Sequence, residues 1–176
     1  ILGANGREMV KKWNWRDACE LVSIAYEAAL VPSPPTAAII IPSYNYAHLV
    51  TGAIQSSMAQ PSPHLLDIII VDDGSHDGGK TQRVVTDLAE KDNRIRYYRQ
   101  PNSGVANARN LCISLTDAKY ICCLDADDSI APTFLDMLIP PMEADPSLGI
   151  TYAGLMLVSH TGDSVDPAGW PHECDF

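Results

Sequence analysis

The sequence predicts an α/β fold with a mostly parallel sheet that is flanked by helices. Short, continuous apolar runs, such as residues 37–41 and 68–71, alternate with segments of helical periodicity, which is typical of strands buried on both faces. The chain has 176 residues, of which 46% are hydrophobic and 19% are charged, so it can build one domain with a sizeable core. Both apolar runs are too short to cross a bilayer, and we expect no transmembrane segment.

The individual elements follow from the alternation of these two patterns after residue 36. Strands are predicted at residues 37–41, 66–71, 95–99, 120–124 and 150–158, and helices at 47–59, 79–91, 105–115 and 133–143. Pro42 ends the first strand, and Pro132 precedes the last helix. Because the strands are separated by helices, we expect parallel pairing with helices on both faces of the sheet.

The first 36 residues have a different character from the rest. Residues 1–31 show helical spacing of apolar side chains, and residues 32–36 form a Pro-rich linker that cannot continue a helix. We therefore divide the chain into an N-terminal helical segment (1–31), a linker (32–36) and an α/β domain (37–176).

Charge and cysteine content exclude some classes of function. The net charge is −10, whereas a protein that binds nucleic-acid backbones needs a basic surface. Residues 120–176 contain ten acidic side chains and no Lys or Arg, which indicates a cation site or a surface whose basic partner lies outside this sequence. The five cysteines include no C-x-x-C pair, and we expect Cys122 and Cys123 to be small core residues of a protein in a reducing compartment.

Polar segments follow the predicted strands, where parallel α/β sheets bind their ligands. The strongest signal is Asp125, Asp127 and Asp128, three carboxylates within four residues. At about 4 Å and an effective dielectric of about 20, each pair of charges would repel by roughly 4 kcal/mol. Mg²⁺ or Mn²⁺ would remove this cost, since both prefer carboxylate oxygens. The alternative is that these residues cap the following helix and face water.

The other polar segments are weaker signals when each is taken alone. Asp73 with Gly74 suits a simple turn, and Tyr44 could stack on a base or merely cover the sheet. Residues 102–110 could direct helix N–H groups at a phosphate, but they lack the full phosphate-loop pattern. Arg109, the basic side chain of that stretch, could equally be an ordinary surface residue.

Together, these segments resemble glycosyltransferase family 2, the inverting nucleotide-sugar enzymes of the GT-A fold. The matching segments are IIIPSYN at residues 39–45, IVDDGS at 70–75, NSG at 102–104 with ARN at 108–110, and LDADD at 124–128. Their order and spacing fit the family over residues 37–160. The resemblance implies a GT-A, Rossmann-like fold and a donor-binding domain for a nucleotide diphosphate sugar, with UDP as the expected nucleotide.

The resemblance also implies roles for individual residues. Pro42, Tyr44 and Asp73 would line the base pocket, with the Asp73 carboxylate accepting from the uracil N–H. Asp125 and Asp127 match the D-x-D motif of the family, which implies Mn²⁺ or Mg²⁺ as cofactor, with Asp127 as the direct ligand and Asp128 in support. The remaining implied contacts to nucleotide and donor sugar are Gly104, Asn107 and Arg109, together with Asp125.

Further expectations concern the context of the domain. The family places its catalytic base well after the D-x-D motif, so we expect the base beyond Phe176 and little transfer by this chain alone. The acceptor would be a glycan or a lipid-linked molecule, and the protein would be cytoplasmic, at the inner face of a membrane. Residues 1–30 resemble the C-terminal tail of a GT-B glycosyltransferase, which implies a second transferase domain in the same polypeptide. An amphipathic helix packed on the sheet explains that segment equally well.

Three other functions compete with sugar transfer. A phosphoacceptor receiver domain also has an acidic pair after a buried strand, but it needs a Lys after its later Asp, and none follows Lys119. A nucleotidyltransferase would carry a Gly-rich basic loop where this chain has residues 43–46, SYNY. A fragment that binds nucleotide sugar without turnover remains the third alternative.

Overall fold

The computed structural model describes residues 36–158 and 164–165. The predictions for residues 1–31 and for nearly all of the linker therefore lie outside the described residues. The described elements, in chain order, are β1 (Ala37–Ser43), α1 (Val50–Met58), β2 (Leu65–Asp72), α2 (Lys80–Ala89), β3 (Ile95–Arg99), α3 (Val105–Ser114), β4 (Tyr120–Cys123), α4 (Phe134–Ala144), β5 (Leu157–Val158) and β6 (Ser164–Val165).

The main sheet has four parallel strands in the order β3-β2-β1-β4, which confirms the predicted fold class. Ile40, in the middle of β1, is opposite Ile69 of β2 on one side and Cys123 of β4 on the other. The small pair β5 and β6 is antiparallel. Among the described residues, no helix has the length and apolar character that a bilayer span requires.

Side chains of alternate residues in the strands build two apolar layers, one on each face of the sheet. Ile39 and Ile41 face the layer that α1, α2 and α4 complete, whereas Ile40 faces α3. The helical residue Cys112 is fully buried in this second layer, and burial raises the pKa of its thiol to about 12. Both faces are therefore covered by helices, as the continuous apolar strands predict.

Two predictions about the end of the sheet are wrong. Cys123 is exposed, because β4 is the edge strand of the described sheet and no strand covers its outer side. Cys122 is half-buried and packs against the core, as expected. In the predicted strand 150–158, only Leu157–Val158 is extended as a strand. Residues 150–156 form no ladder with β4, and Ile150 is 78% exposed. An apolar sequence does not make a strand where no neighbour supplies inter-strand hydrogen bonds.

Candidate functional site

The sheet has a topological switch point between β1 and β4. The connections from β1 through α1 to β2, and from β2 through α2 to β3, lie on one face, and α3 takes the chain to β4 on the other face. In open α/β sheets, ligands bind in the crevice at the carboxyl ends of strands where the order reverses. The segments that follow β1 and β4 are therefore the walls of the expected crevice.

Pro42 lies where β1 and β4 separate. The pairing of these strands ends at Ile40 and Cys123, and the last bond is donated by the Leu124 amide to the carbonyl oxygen of Ile40. The main-chain N and C=O groups of alternate residues in a strand face the same neighbour. The main-chain nitrogen of Pro42 therefore faces β4, as that of Ile40 does. Since proline has no N–H to donate, the ladder cannot continue there and the two strand ends are free to diverge.

Asp72, the last residue of β2, is completely buried and its carboxylate is used inside the protein. Oδ1 accepts from the Ser75 amide at 2.8 Å, and Oδ2 accepts from the Tyr97 hydroxyl at 2.9 Å and from Arg99 at 3.1 Å. Burial and the neighbouring Asp72 raise the pKa of Tyr97 to about 12, so its hydroxyl remains a donor at neutral pH. These contacts fix the turn after β2 against the end of β3.

Asp73 points to the opposite side of the strand and holds the segment that leads into α3. Oδ1 accepts from the Gln100 side chain at 2.6 Å and from the Ser103 amide at 2.8 Å, while Oδ2 accepts from the Gly104 amide at 2.8 Å. The residue is only 4% exposed. The predicted contact to a uracil N–H would have to use the remaining lone pair of Oδ2, since a carboxylate oxygen accepts about two bonds.

Gly104 has a backbone conformation that this arrangement requires. Its φ of 88° and ψ of 157° belong to a region that essentially only glycine occupies. A Cβ at this position would meet nothing within 4 Å, so the requirement is conformational and not steric. The neighbouring Asn107 is exposed, and its amide donates to the Ser103 carbonyl oxygen at 2.6 Å.

The loop after β1 is tied to the turn after β2. The Asn45 amide donates to the Ser75 hydroxyl at 2.8 Å, and the Asn45 side chain accepts from the His76 amide at 2.8 Å. Asn45 has a φ of 61°, in the left-handed region that Asn tolerates better than most residues. Tyr44 beside it is 40% exposed and makes an edge-to-face contact with the His76 ring at 6.2 Å.

Arg109 of α3 joins the remaining segment to this edge. Its Nη2 donates to Oδ1 of Asp125 at 2.6 Å, directly after β4. The four segments that the sequence singled out are thus linked in two sets, β1 with β2 through Asn45, and β2 with β4 through Asp73, α3 and Arg109. The structure brings them to one edge of the sheet, whereas their roles in ligand binding stay predictions.

The acidic residues after β4 form the exposed part of this edge. Asp125, Asp127 and Asp128 are all exposed, and Asp128 donates its amide to the Asp125 carbonyl oxygen in a tight turn. Partial desolvation, and then the charges of Asp127 and Asp125, raise the pKa of the Asp128 carboxyl. The Asp128 carboxyl therefore lies close enough to its two acidic neighbours for their negative charge to disfavour its ionised form.

The acidic residues fit a divalent cation only as part of a larger ligand set. In the part of the chain that the structure describes, no three His, Cys, Asp or Glu side chains converge on one metal position. Mg²⁺ is usually held by one or two carboxylates with phosphate oxygens and water, and not by an all-protein cage. Exposed carboxylate oxygens therefore suit a cation that a phosphate helps to bind.

Two buried polar atoms at the same edge lack partners among the described residues. They are the Ser43 hydroxyl, at the end of β1, and Nε of Arg109. Buried polar atoms are almost always hydrogen-bonded in folded proteins, and exceptions need an explanation. Both atoms lie in segments that border the β1–β4 crevice, where a bound polar molecule or water would explain them.

Sequence reasoning missed the residues that hold this edge together. Gln100 and Arg99 carried no motif, and their contacts to Asp73 and Asp72 depend on how β3 lies beside β2. That Asp72 and Asp73 contact different segments could have been predicted from the sequence, because adjacent residues of a strand point to opposite faces of the sheet.

Solved structures with a similar fold include S. aureus TarS 1-349 in complex with UDP-GlcNAc. It superposes with a TM-score of 0.56 at 24% sequence identity, covering 62% of this chain and 31% of that one. At this identity, the likeness shows that the fold is shared.

The sequence relatives include a glycosyltransferase, a chondroitin synthase and a hyaluronan synthase. A glycosyltransferase of Rickettsia conorii is 34% identical over 128 residues, which are 72% of this chain and 20% of that protein. A chondroitin synthase of Escherichia coli is 28% identical over 146 residues, 82% of this chain and 21% of that protein. A hyaluronan synthase of Pasteurella multocida is 30% identical over 138 residues, 78% of this chain and 14% of that protein. The chain thus spans about a fifth or less of the length of these three relatives.

The family assignment rests on a match to a family model that covers more than half of the chain. Residues 38–157 match glycosyl transferase family 2, and this range begins in β1 and ends in β5. It contains all four polar segments and the switch-point crevice between β1 and β4. On this match, the chain belongs to glycosyl transferase family 2.

Proposed function

We propose that this chain is the donor-binding part of a glycosyltransferase, which binds a UDP-sugar with the help of Mn²⁺ or Mg²⁺. The observation that carries the proposal is the cluster of exposed carboxylates after β4, Asp125, Asp127 and Asp128. They lie at the same end of the sheet as Asn45 and Asp73, which internal hydrogen bonds hold in place. Family membership favours this function over a receiver domain or a nucleotidyltransferase. The UDP-GlcNAc complex of TarS supports UDP as the nucleotide to test first.

The proposed division of labour follows from the contacts of each residue. Tyr44 is exposed at the end of β1 and can cover one side of a base, and Asp73 positions residues 103–104 at the start of α3, beside the nucleotide. Asp127 would hold the cation, and Asp125 is oriented by Arg109. A bound divalent cation would offset the charge of the diphosphate leaving group.

Arg109 supplies positive charge where the acidic segment has none. Its guanidinium is 35% exposed on the side chain and already contacts Asp125, so it can orient that carboxylate and face a phosphate at the same edge. Arginine suits this position because its donors are arranged in a planar fork.

The wider proposal concerns the acceptor and the rest of the polypeptide. We expect the acceptor to be a glycan or a lipid-linked molecule. We also expect a second transferase domain before this one in the same polypeptide.

The test is calorimetric titration of the full chain with UDP in Mn²⁺, in Mg²⁺ and in chelator. We expect binding that depends on the metal, and Asp127→Asn should weaken it by at least about tenfold, since charge-assisted contacts contribute about 1.5–3 kcal/mol. Asp117→Asn is the matched control, because Asp117 is exposed just before β4, at the opposite edge of the sheet. Equal affinity for UDP with metal and with chelator would contradict the role of the acidic residues.

An activity assay under the same conditions tests the alternative that the chain binds the donor without turnover. UDP-sugar hydrolysis or transfer is measured with the full chain under the conditions that give the tightest UDP binding. Binding with no released UDP would assign this chain donor binding alone. Metal-dependent release of UDP that is lost in Asp127→Asn would assign it the chemical step as well.

A further inference from the structure

The acidic residues are held at one end by β4, and the other end must also be fixed if they are to bind a cation. At the β4 end, the Leu124 amide bonds to β1, and Leu124 is buried in the core. Residues 125–129 then pass through the exposed turn, apart from the buried Ala126. What fixes the far end of this turn is therefore a question about the residues around 130.

The far end is fastened to the last turn of α1 by a buried glutamine. Gln60 is 2% exposed, and its Nε2 donates to the Ala131 carbonyl oxygen at 2.8 Å and to the Ser56 carbonyl oxygen at 3.2 Å. Its Oε1 accepts from the Leu135 amide at 3.3 Å, at the start of α4. One side chain therefore connects three separate main-chain positions.

Ser56 adds a second link between the same two regions. Its hydroxyl accepts from the Ile130 amide at 3.2 Å and donates to the Ala53 carbonyl oxygen at 2.9 Å. Close packing accompanies these bonds, because a Cβ added to Gly52 of α1 would lie 3.7 Å from the Ser129 hydroxyl. The turn that carries the acidic residues thus rests on α1 along residues 129–131.

We propose that Gln60 is a positioning residue that sets the place of Asp127 and Asp128 by clamping residues 130–135 to the end of α1. A buried side-chain amide whose donors and acceptor are all used has one well-defined orientation. It cannot contact the donor itself, since it is buried under the turn. This inference rests on the proposed function, because its effect is read through the binding of Mn²⁺ with UDP.

The central experiment compares Gln60→Met with Gln55→Met in the full chain. Methionine keeps the length of the glutamine side chain but removes its hydrogen bonds. Gln55 is an exposed residue of α1, the helix that ends just before Gln60. Free Mn²⁺ is measured by electron paramagnetic resonance in the presence of UDP. We expect Gln60→Met to lose about tenfold or more in Mn²⁺ affinity, as outer residues of metal sites commonly do, and Gln55→Met to match the wild type.

A loss of general stability has to be separated from a loss of positioning. Leu88→Ala removes a core side chain of α2, away from the acidic turn, and should lower the melting temperature without changing Mn²⁺ affinity. If Leu88→Ala weakens Mn²⁺ binding as much as Gln60→Met does, the clamp is merely structural and the inference is wrong. It is equally wrong if Gln60→Met binds Mn²⁺ like Gln55→Met.

Amide hydrogen exchange decides the inference independently of the proposed function. We expect Gln60→Met to lose protection at Leu135 and Ile130, whereas Gln55→Met keeps it. If the wild type binds no Mn²⁺ with UDP, the proposed function fails, and unchanged protection in Gln60→Met would then refute the clamp as well. If Gln60→Met does not fold, Ser56→Ala serves as the milder variant. We then expect faster amide exchange at Ile130 together with weaker Mn²⁺ binding. Unchanged exchange at Ile130 or unchanged Mn²⁺ binding in Ser56→Ala would overturn the inference.

Discussion

The carboxyl ends of β2 and β4 carry acidic residues that the protein treats in opposite ways. Asp72 and Asp73 are buried, and each accepts three hydrogen bonds from the surrounding chain. Asp127 and Asp128 are exposed, and their carboxylates accept no hydrogen bond from the described residues. The same residue type at the same edge of one sheet therefore serves two purposes, depending on whether the chain supplies donors.

The difference explains why both groups are needed in one site. The internal donors of Asp72 and Asp73 fix the loops around the crevice before any ligand arrives, which reduces the ordering cost of binding. The carboxylates after β4 keep their oxygens available, at the expense of mutual repulsion that a cation would remove. Removing an acid from one group should therefore affect folding, and removing it from the other should affect binding.

The largest effect on stability is expected for Asp72, the buried acid at the end of β2. Asp72→Ala leaves the Ser75 amide, the Tyr97 hydroxyl and one Arg99 donor without their acceptor. We expect the free energy of unfolding to fall by about 2–4 kcal/mol, less than for a fully buried ion pair because the Arg99 side chain is 44% exposed. Chemical denaturation of the full chain measures this change.

The control for this experiment is an acid with no buried contacts. Asp117→Ala at the opposite edge of the sheet should stay within about 0.5 kcal/mol of the wild type. If Asp72→Ala is as stable as Asp117→Ala, the buried contacts of Asp72 do not support the fold, and the contrast between the two ends fails.

Much of the fold could be predicted from the sequence, because apolar runs alternate with amphipathic segments. The parallel sheet, the helices on both faces and the family are confirmed. The predicted strand at residues 150–158 and the burial of Cys123 were wrong, since both depend on a neighbour beside β4 that a single sequence does not reveal. Helix α1 begins at Val50 and not at residue 47, because residues 46–49 form a separate turn.

The candidate site was predictable as a set of segments but not as a network. The order of the motifs and the edge at which they meet follow from the strand pattern. The partners of Asp73 and the clamp at Gln60 arise from side chains distant in sequence, such as Gln100 and Ala131, whose proximity is a product of packing. The metal and nucleotide contacts stay predictions.

An intermediate effect is expected at Asp77, which lies beyond β2 and has internal donors but is only half-buried. Its carboxylate accepts from the amides of Gly79, Lys80 and Thr81 and from the Thr81 hydroxyl, at the start of α2. Asp77→Ala should cost about 0.5–2 kcal/mol, as loss of a helix cap does. Thermal unfolding at neutral pH measures this loss.

The effect of Asp77 should also depend on pH. The hydrogen bond from the Thr81 side chain is the main cause that holds the pKa of Asp77 below its ordinary value of 3.8, with the amides of Thr81, Lys80 and Gly79 adding to it. Its contribution is therefore complete above that value and is lost as the pH falls through the lower pKa of the folded state. The stability difference between wild type and Asp77→Ala should therefore shrink in this acidic range. A difference that grows on acidification would contradict the capping role.

The smallest effect on stability, and the one of opposite sign, is expected at Asp128. In chelator and at low salt, Asp128→Asn removes a negative charge that lies beside Asp127 and Asp125 without removing an internal hydrogen bond, so the variant should be slightly more stable than the wild type, by about 0.5 kcal/mol or less. Because the gain comes from repulsion between exposed charges, about 1 M salt should remove most of it. Adding Mn²⁺ with UDP should reverse the order, since a ligand that binds the folded wild type more tightly stabilises it more. Chemical denaturation of both proteins under these three conditions gives the comparison. A less stable Asp128→Asn in chelator would mean that the chain itself holds this carboxylate as it holds Asp72, and the two strand ends would then differ in exposure only.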